Sequence, residues 1–391
     1  MSTPRLPADL PAGRIAVALL VAVALVVGVF AWLDGWRLGA DSAVYRAGAL
    51  TFLRGEPLYT PQTLTTLPPW VALPFTYPPA AALLFVPLTA LPSGLAWGIL
   101  AAASVLSLAV VVRVCVRGAD RPYGAFAVAG LTVLALGLEP VWKTIFLGQI
   151  NLILMALIVL DVLVLGARGS RWGGVLVGVA AAVKLTPLIF VPHLLCTGRW
   201  RDAVRALGTF AALQGLMFAL MPGDAVRYWT EAASDPDRIG AVHWIFNQSL
   251  NGMLNRASEL APWSLPVAIA IAAVLAVPAV WLVVRLHRRG EELAALLVTA
   301  FYGLLVSPVS WSHHWVWAVP LILLLVVEGR GWWALAVTAL FAGCVIMLVP
   351  NGGDAEFRWG FPLAVLGNAY VVAAAVALLG LTARELRRPR G

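Results

Sequence analysis

The feature that most constrains this chain is an alternation kept up over its whole length. An apolar run long enough, or nearly long enough, to cross about 30 Å of hydrocarbon gives way to a short polar connection, and the pattern repeats. The runs fall at residues 15–33, 95–112, 123–138, 150–165, 206–221, 265–284, 294–306, 315–327, 332–349 and 361–381. Inside a bilayer every backbone N–H and C=O must find its partner within the chain, so such runs fold as helices. A sequence that is 61% hydrophobic and 12% charged, with a mean hydropathy of +0.89, is excluded from the range of soluble domains. Segment 173–196 begins and ends beside charge and is interrupted at "VKLTP" by Lys184 and Pro187, which favours two half-spans or a re-entrant pair. The expectation is an all-α polytopic membrane protein with about ten to twelve membrane helices. It reads as a single membrane domain over residues 1–391, its first run, after Arg14, being an uncleaved span.

The connections are not alike. Arginines cluster at Arg113/Arg117/Arg121, Arg168/Arg171, Arg199/Arg201/Arg205, Arg285/Arg288/Arg289 and Arg384/Arg387/Arg388/Arg390. This bias assigns those loops and both termini to the cytoplasm of a plasma-membrane protein. The opposite loops are then periplasmic: 34–79, 139–149, 223–263, 307–315 and 351–360, which hold most of the acids and nearly all the unusual polar residues. A net charge of +8 could suggest nucleic acid, but the charge is dispersed in loops rather than along one face, so no nucleic-acid partner is expected. Cys115, Cys196 and Cys344 match no metal-ligand spacing and read as packing residues. Segment 80–91, short and bracketed by prolines, suits a helix at the interface.

The candidate chemistry therefore faces outward. In "DSAVYRAGALTFLRG", Asp41 lies just beyond the first span with Tyr45 and Arg46 near it. A carboxylate in such surroundings can hold a pKa suited to accepting a proton from a hydroxyl, or it can simply N-cap the helix that follows. In "FTYPPAAALL" the Pro78–Pro79 pair presents Tyr77 at the interface, as a binding group or as part of an aromatic belt. "WKTIFLGQINLIL" puts Lys143, Gln149 and Asn151 where their donors could hold a phosphate or sugar hydroxyls. Lys184 within a broken helix is functional by default, with snorkelling to the interface as the alternative. "HWIFNQSLNGMLNR" offers Asn247 and Gln248, whose amides suit a carbohydrate or an ordinary polar helix. The "DPD" of Asp235 to Asp237 matches a soluble transferase motif on the side without nucleotide sugars and is set aside. In "SPVSWSHHWVW", His313 and His314 are consecutive and so diverge on a helix, which argues against zinc. An imidazolium there can offset charge on a departing phosphate, or the pair can sit with belt tryptophans.

Taken in order, "DSAVYRAG...LRGEPLY", "FTYPPAAALL", "GQINLIL", "GVAAAVKLTPLIF", "NQSLNGML" and "SPVSWSHHWVW" resemble glycosyltransferase family 87, over about residues 41–317. The resemblance implies a GT-C type membrane glycosyltransferase that uses polyprenyl-phosphate-mannose. It implies inverting transfer of mannose on the periplasmic side to a mannosylated phosphatidylinositol lipid, lipomannan or lipoarabinomannan, in an α-1,2 linkage. The family's outer-loop aspartate maps to Asp41 as base, and its late histidine falls on His313 or His314. Arg46, Tyr77, Lys143, Gln149, Asn151, Lys184, Asn247 and Gln248 are the expected donor phosphate or sugar contacts. A monophosphate leaving group can be held by lysine, arginine or histidine, so no metal or cofactor is expected. Two alternatives are a polyprenyl-phosphate-arabinose-dependent transferase and a lipid-linked sugar flippase, the latter asking for ionisable residues at mid-membrane, where only Asp161 and Lys184 qualify.

Overall fold

The computed structural model describes residues 10–60, 63–118, 123–235 and 238–387. Arg121, Asp237, Arg388 and Arg390, singled out above, lie outside the described residues, as does the stretch 1–9 assigned to the cytoplasm. The described chain is helical, its sole β-type pairing being an isolated bridge between Asn247 and Trp311.

Helix α1 (Leu10–Leu33) leads into α2 (Ala40–Leu53) in the first outer loop. After α3 (Pro79–Leu84) and a 3-10 turn (Val86–Ala90) comes α4 (Ser93–Cys115), then α5 (Ala125–Ala135) and α6 (Glu139–Leu147), which bend by 79°. The bend follows from Pro140, which has no N–H to give and is accommodated in the first turn of a new helix. Helix α7 (Asn151–Leu160) continues through a π turn (Asp161–Leu165), and α8 (Val175–Val183) and α9 (Phe190–Cys196) flank the break at Lys184. Lys184 itself is extended, with φ −149° and ψ 133°, as the "VKLTP" interruption predicts. Next come α10 (Trp200–Leu220), α11 (Pro222–Arg227), α12 (Leu250–Ala257), α13 (Ser264–Arg288) and α14 (Glu292–Val306). A 3-10 segment (Ser312–Trp317) carries the histidines into α15 (Ala318–Val327), followed by α16 (Gly331–Ala342), α17 (Phe361–Gly367) and α18 (Ala369–Arg387).

Among the described residues six helices are long and apolar enough to span, or seven if the bent α5–α6 pair counts as one. Four more apolar helices are shorter: Thr186–Cys196, Glu292–Val306, Ser312–Val327 and Gly331–Ala342. Several of the expected membrane helices are thus shorter than the apolar runs that announce them. The physical reason lies in the breaks. Run 332–349 stops at Gly343 and turns at Cys344, where φ is +49°, and run 361–381 is divided at Asn368 between α17 and α18.

Helices α1 and α4 approach closely through small residues. A Cβ on Gly28 would lie 2.7 Å from the Cα of Gly98, and one on Gly94 would lie 2.6 Å from the Trp32 nitrogen. Small residues spaced as in "GLAWG" let two backbones touch where no hydrophobic effect drives helices together. Asp161 caps α8: its Oδ1 accepts the Gly174 N–H at 2.6 Å and its Oδ2 the Val177 N–H at 3.0 Å.

Loops 34–79 and 223–263 are joined. Asp224 accepts the Leu58 N–H at 3.0 Å, Arg227 donates to the Tyr59 carbonyl at 3.3 Å, and Arg238 donates to the carbonyls of Thr60 and Phe75, each at 3.2 Å. Rings of Tyr59, Phe75, Tyr77 and Tyr228 pack beneath these bonds.

Candidate active site

Beneath the joined loops lies a cavity of about 760 Å³. One wall is laid down by α2, the Tyr77 segment and the end of α6, another by the Lys184 break and the Ser307–His314 stretch, and the outer wall by residues 238–246. Asp41, Tyr77, Lys143, Gln149, Lys184, His313 and His314 all line it, although they come from five separate stretches of sequence.

Asp41 sits in the first turn of α2. The N-cap is Gly39, whose φ of +74° suits a residue without Cβ, so the capping alternative for Asp41 falls away. The Asp41 carboxyl is instead held by the side chains of Gln149 and Tyr77, and it feels the charge of Lys184. Burial pushes its pKa from 3.8 up to about 7, while Lys184, Gln149 and Tyr77 hold it down. The supports are themselves fixed. Tyr45 donates to Gln149 Oε1 at 2.7 Å, Gln149 Nε2 donates to the Tyr77 hydroxyl at 3.3 Å, and Tyr45 stacks on Phe85 with centroids 4.3 Å apart.

Two lysines line the same cavity. Lys184 Nζ lies 2.8 Å from His314 Nε2 and donates to Asn151 Oδ1 at 3.2 Å. Lys143 Nζ donates to Ser312 Oγ at 3.1 Å, lies 3.3 Å from Glu139 Oε1, and sits 3.3 Å above the Phe246 ring. The His313 and His314 rings are nearly perpendicular, 88° between planes, with centroids 4.8 Å apart. His314 is engaged by Lys184, whereas both ring nitrogens of buried His313 lack a partner. The His313 backbone is pinned by Thr144 and Asn151, each donating to its carbonyl at 2.9 Å. A carboxylate titrating near neutrality that shares a sugar-sized space with fixed cations can deprotonate a hydroxyl while those cations stabilise a departing phosphate. Among the described residues no three His, Cys, Asp or Glu side chains group as metal ligands would.

Four expected contacts lie elsewhere. The Arg46 side chain donates to the Leu91 carbonyl at 2.6 Å and does not line the cavity. Asn247 and Gln248 are fully buried in scaffolding. Asn247 accepts the Ser310 N–H at 3.0 Å and donates to the Val242 carbonyl at 2.8 Å; Gln248 donates to the carbonyls of Ile245 and Gly367 at 2.6 and 2.7 Å. Their amides are spent on backbone groups and have no capacity left for a sugar. Asn151 stands one step behind, holding Lys184 and the His313 carbonyl. Trp244, whose ring offers an apolar face to a sugar, does line the cavity; Arg238 and Phe246 line it without having been expected there, and Glu139 supports it from behind. For Glu139 a signal existed, the i,i+4 spacing to Lys143.

The sequence profile of glycosyltransferase family 87 matches residues 75–308. The chain belongs to glycosyltransferase family 87. Curated relatives agree along nearly the whole length. A polyprenol-phosphate-mannose-dependent alpha-(1-2)-phosphatidylinositol mannoside mannosyltransferase of Mycobacterium tuberculosis is 32% identical, the match covering 94% of this chain and 91% of the relative. A polyprenol-phosphate-mannose-dependent alpha-(1-2)-phosphatidylinositol pentamannoside mannosyltransferase of Mycolicibacterium smegmatis is 33% identical over 96% of this chain and 93% of that protein. Among solved structures, ArnT from Cupriavidus metallidurans, bound to undecaprenyl phosphate, aligns over 96% of this chain and 72% of its own at 20% identity and a TM-score of 0.47. As a family 87 member the chain is a membrane glycosyltransferase. Asp41, His313 and His314 fall outside the 75–308 match, so their placement in one cavity with Lys143 and Lys184 is an observation of the structure.

Proposed function

We propose that this family 87 enzyme transfers mannose from polyprenyl-phosphate-mannose to a mannosylated phosphatidylinositol lipid, forming an α-1,2 linkage with inversion. Donor, acceptor and linkage follow the names of relatives at 32–34% identity. The observation that carries the mechanism is the Asp41 carboxyl, held by Gln149 and Tyr77 and lining the same cavity as Lys184. In the reaction the acceptor hydroxyl attacks the anomeric carbon and gives its proton to Asp41. The bond from that carbon to the phosphate oxygen breaks, and polyprenyl phosphate leaves with the electron pair. Its growing negative charge is met by Lys184 and Lys143, with His313 and His314 beside them. The two lysine ammonium groups are why we propose a transfer that uses no metal; His313 and His314, whose pKa values burial and then Lys184 push well down, do not supply the imidazolium expected from the sequence. Trp244 and Trp311, with rings edge to face at 6.0 Å, offer the acceptor sugars apolar faces under Arg238. We place the cavity on the periplasmic side, with both termini cytoplasmic, from the arginine bias of the opposite loops. A flippase reading finds less support, since both oxygens of Asp161 are engaged by backbone N–H groups at the start of α8.

The test is to incubate purified wild type and Asp41→Asn with radiolabelled polyprenyl-phosphate-mannose and a panel of phosphatidylinositol mannosides and lipomannan, with polyprenyl-phosphate-arabinose as competing donor. Label should enter a phosphatidylinositol mannoside with wild type and not with the variant, which still binds donor. Transfer of arabinose in preference, or no transfer to any acceptor, would overturn the assignment. For the topology, a cysteine-free background should be labelled from outside at Asp354→Cys and spared at Arg288→Cys; the reverse pattern inverts it.

A further inference from the structure

Glu139 is completely buried and does not line the cavity, yet it touches Lys143, which does, Ser312 beside His313, and Tyr370 of α18 behind them. Its Oε1 lies 3.3 Å from Lys143 Nζ one helical turn along α6 and accepts the Ser312 hydroxyl at 2.7 Å. Its Oε2 accepts the Tyr370 hydroxyl, from α18, at 3.2 Å. Ser312 also accepts from Lys143 at 3.1 Å, so carboxylate, hydroxyl and ammonium form a closed triangle with the Phe246 ring on the fourth side. A lysine on a flexible four-carbon stem does not by itself hold its charge at one point, and a buried carboxylate is costly unless fully partnered. Each solves the problem of the other. Ser312 directly precedes His313, so the same carboxylate also anchors the start of the histidine turn.

We infer that Glu139 is a positioning residue for transfer, fixing the Lys143 ammonium at the cavity wall where the donor phosphate is held, through Ser312 and against Phe246. This rests on the reading of Lys143 as a phosphate contact. A residue that merely stabilises the fold would affect phosphate binding whether or not Lys143 is present, whereas one that works through Lys143 loses its effect when Lys143 is gone.

The experiment is a double-mutant cycle of Glu139→Gln and Lys143→Met on the full-length protein in nanodiscs. It reads affinity for decaprenyl phosphate, donor KM and kcat, and melting temperature. Lys143→Met should weaken decaprenyl phosphate by about 10-fold or more, as expected for loss of a charge-assisted contact. Glu139→Gln should approach that loss, and the double variant should be no weaker than Lys143→Met. Additive losses, or a Glu139→Gln protein with lowered melting temperature and unchanged affinity, overturn the positioning role while leaving Lys143 as a phosphate contact. Wild-type affinity in Lys143→Met overturns both. If Glu139→Gln does not fold, the cycle is run with Glu139→Asp, which keeps the buried charge but falls short of Lys143; additivity there is equally decisive against the inference.

Discussion

Asp41→Asn separates a catalytic carboxylate from a structural one, because the same burial that tunes the group also makes it costly. The Asp41 carboxyl is raised from 3.8 to about 7. Its folded pKa therefore exceeds its unfolded value, and between those limits the folded state binds the extra proton. Stability consequently falls as pH rises through that window, with the full cost present above pH 7. That displacement corresponds to about 4 kcal/mol, an upper bound because Asp41 borders a water-accessible cavity. Asparagine has nothing to ionise, so the variant should melt several degrees above wild type at pH 8, and the difference should vanish near pH 4. Turnover should move the opposite way. Wild-type kcat/KM should rise with pH along a limb centred near 7, and the variant should lose about 100-fold or more, the usual contribution of a general base. The assay pairs thermal melts in detergent with rates from pH 5 to 9. An acid limb near 4, or a melting difference that does not change with pH, would refute the reasoning.

Three further outcomes follow from the geometry. Lys184→Met should raise donor KM about 10-fold or more through loss of a charged contact to phosphate, read in steady-state kinetics with acceptor saturating. His313→Ala should depress kcat more than His314→Ala, because His313 presents two unpartnered ring nitrogens while His314 is already engaged by Lys184; equal, wild-type rates in both would return the pair to a packing role. Gly98→Val should lower the melting temperature and membrane yield, since even a Cβ there would lie 2.9 Å from the Gly28 Cα, and overpacking of this kind costs about 1–3 kcal/mol or more.

Much of this molecule is legible in its sequence, and the failures have physical causes. The break at Lys184, the kink at Ser307–Pro308 and the bend before Pro140 all follow from backbone chemistry that proline fixes locally. Helix length was harder to read, because hydropathy counts apolar residues and not the hydrogen bonds that stop a helix, as at Cys344 and Asn368. Within the site, residue type told which side chains could meet a phosphate or a hydroxyl but not which were already engaged. Lys143, Gln149 and Lys184 reach the cavity, whereas Arg46, Asn247 and Gln248 have the same donors and spend them on carbonyls a few ångströms away. Arg238 gave no signal at all, because its place depends on how two loops far apart in sequence meet.

Those loops are fastened in a particular manner. Asp224, Arg227 and Arg238 each reach from one loop to main-chain atoms of the other, at Leu58, Tyr59, Thr60 and Phe75. Main-chain atoms are the same whatever side chain they carry, so these bonds specify the path of the backbone, while the buried side chains of Leu58, Tyr59 and Phe75 hold it from within. Side chains that line the cavity without joining the fastening, such as Leu73 and Thr76, can therefore be exchanged while the joined loops above Asp41 stay in place. Proline at Leu58, which would remove the donated N–H, is the change this latitude does not extend to. A pocket built this way can be re-coded for a different glycolipid one residue at a time, without first losing the architecture that makes transfer work.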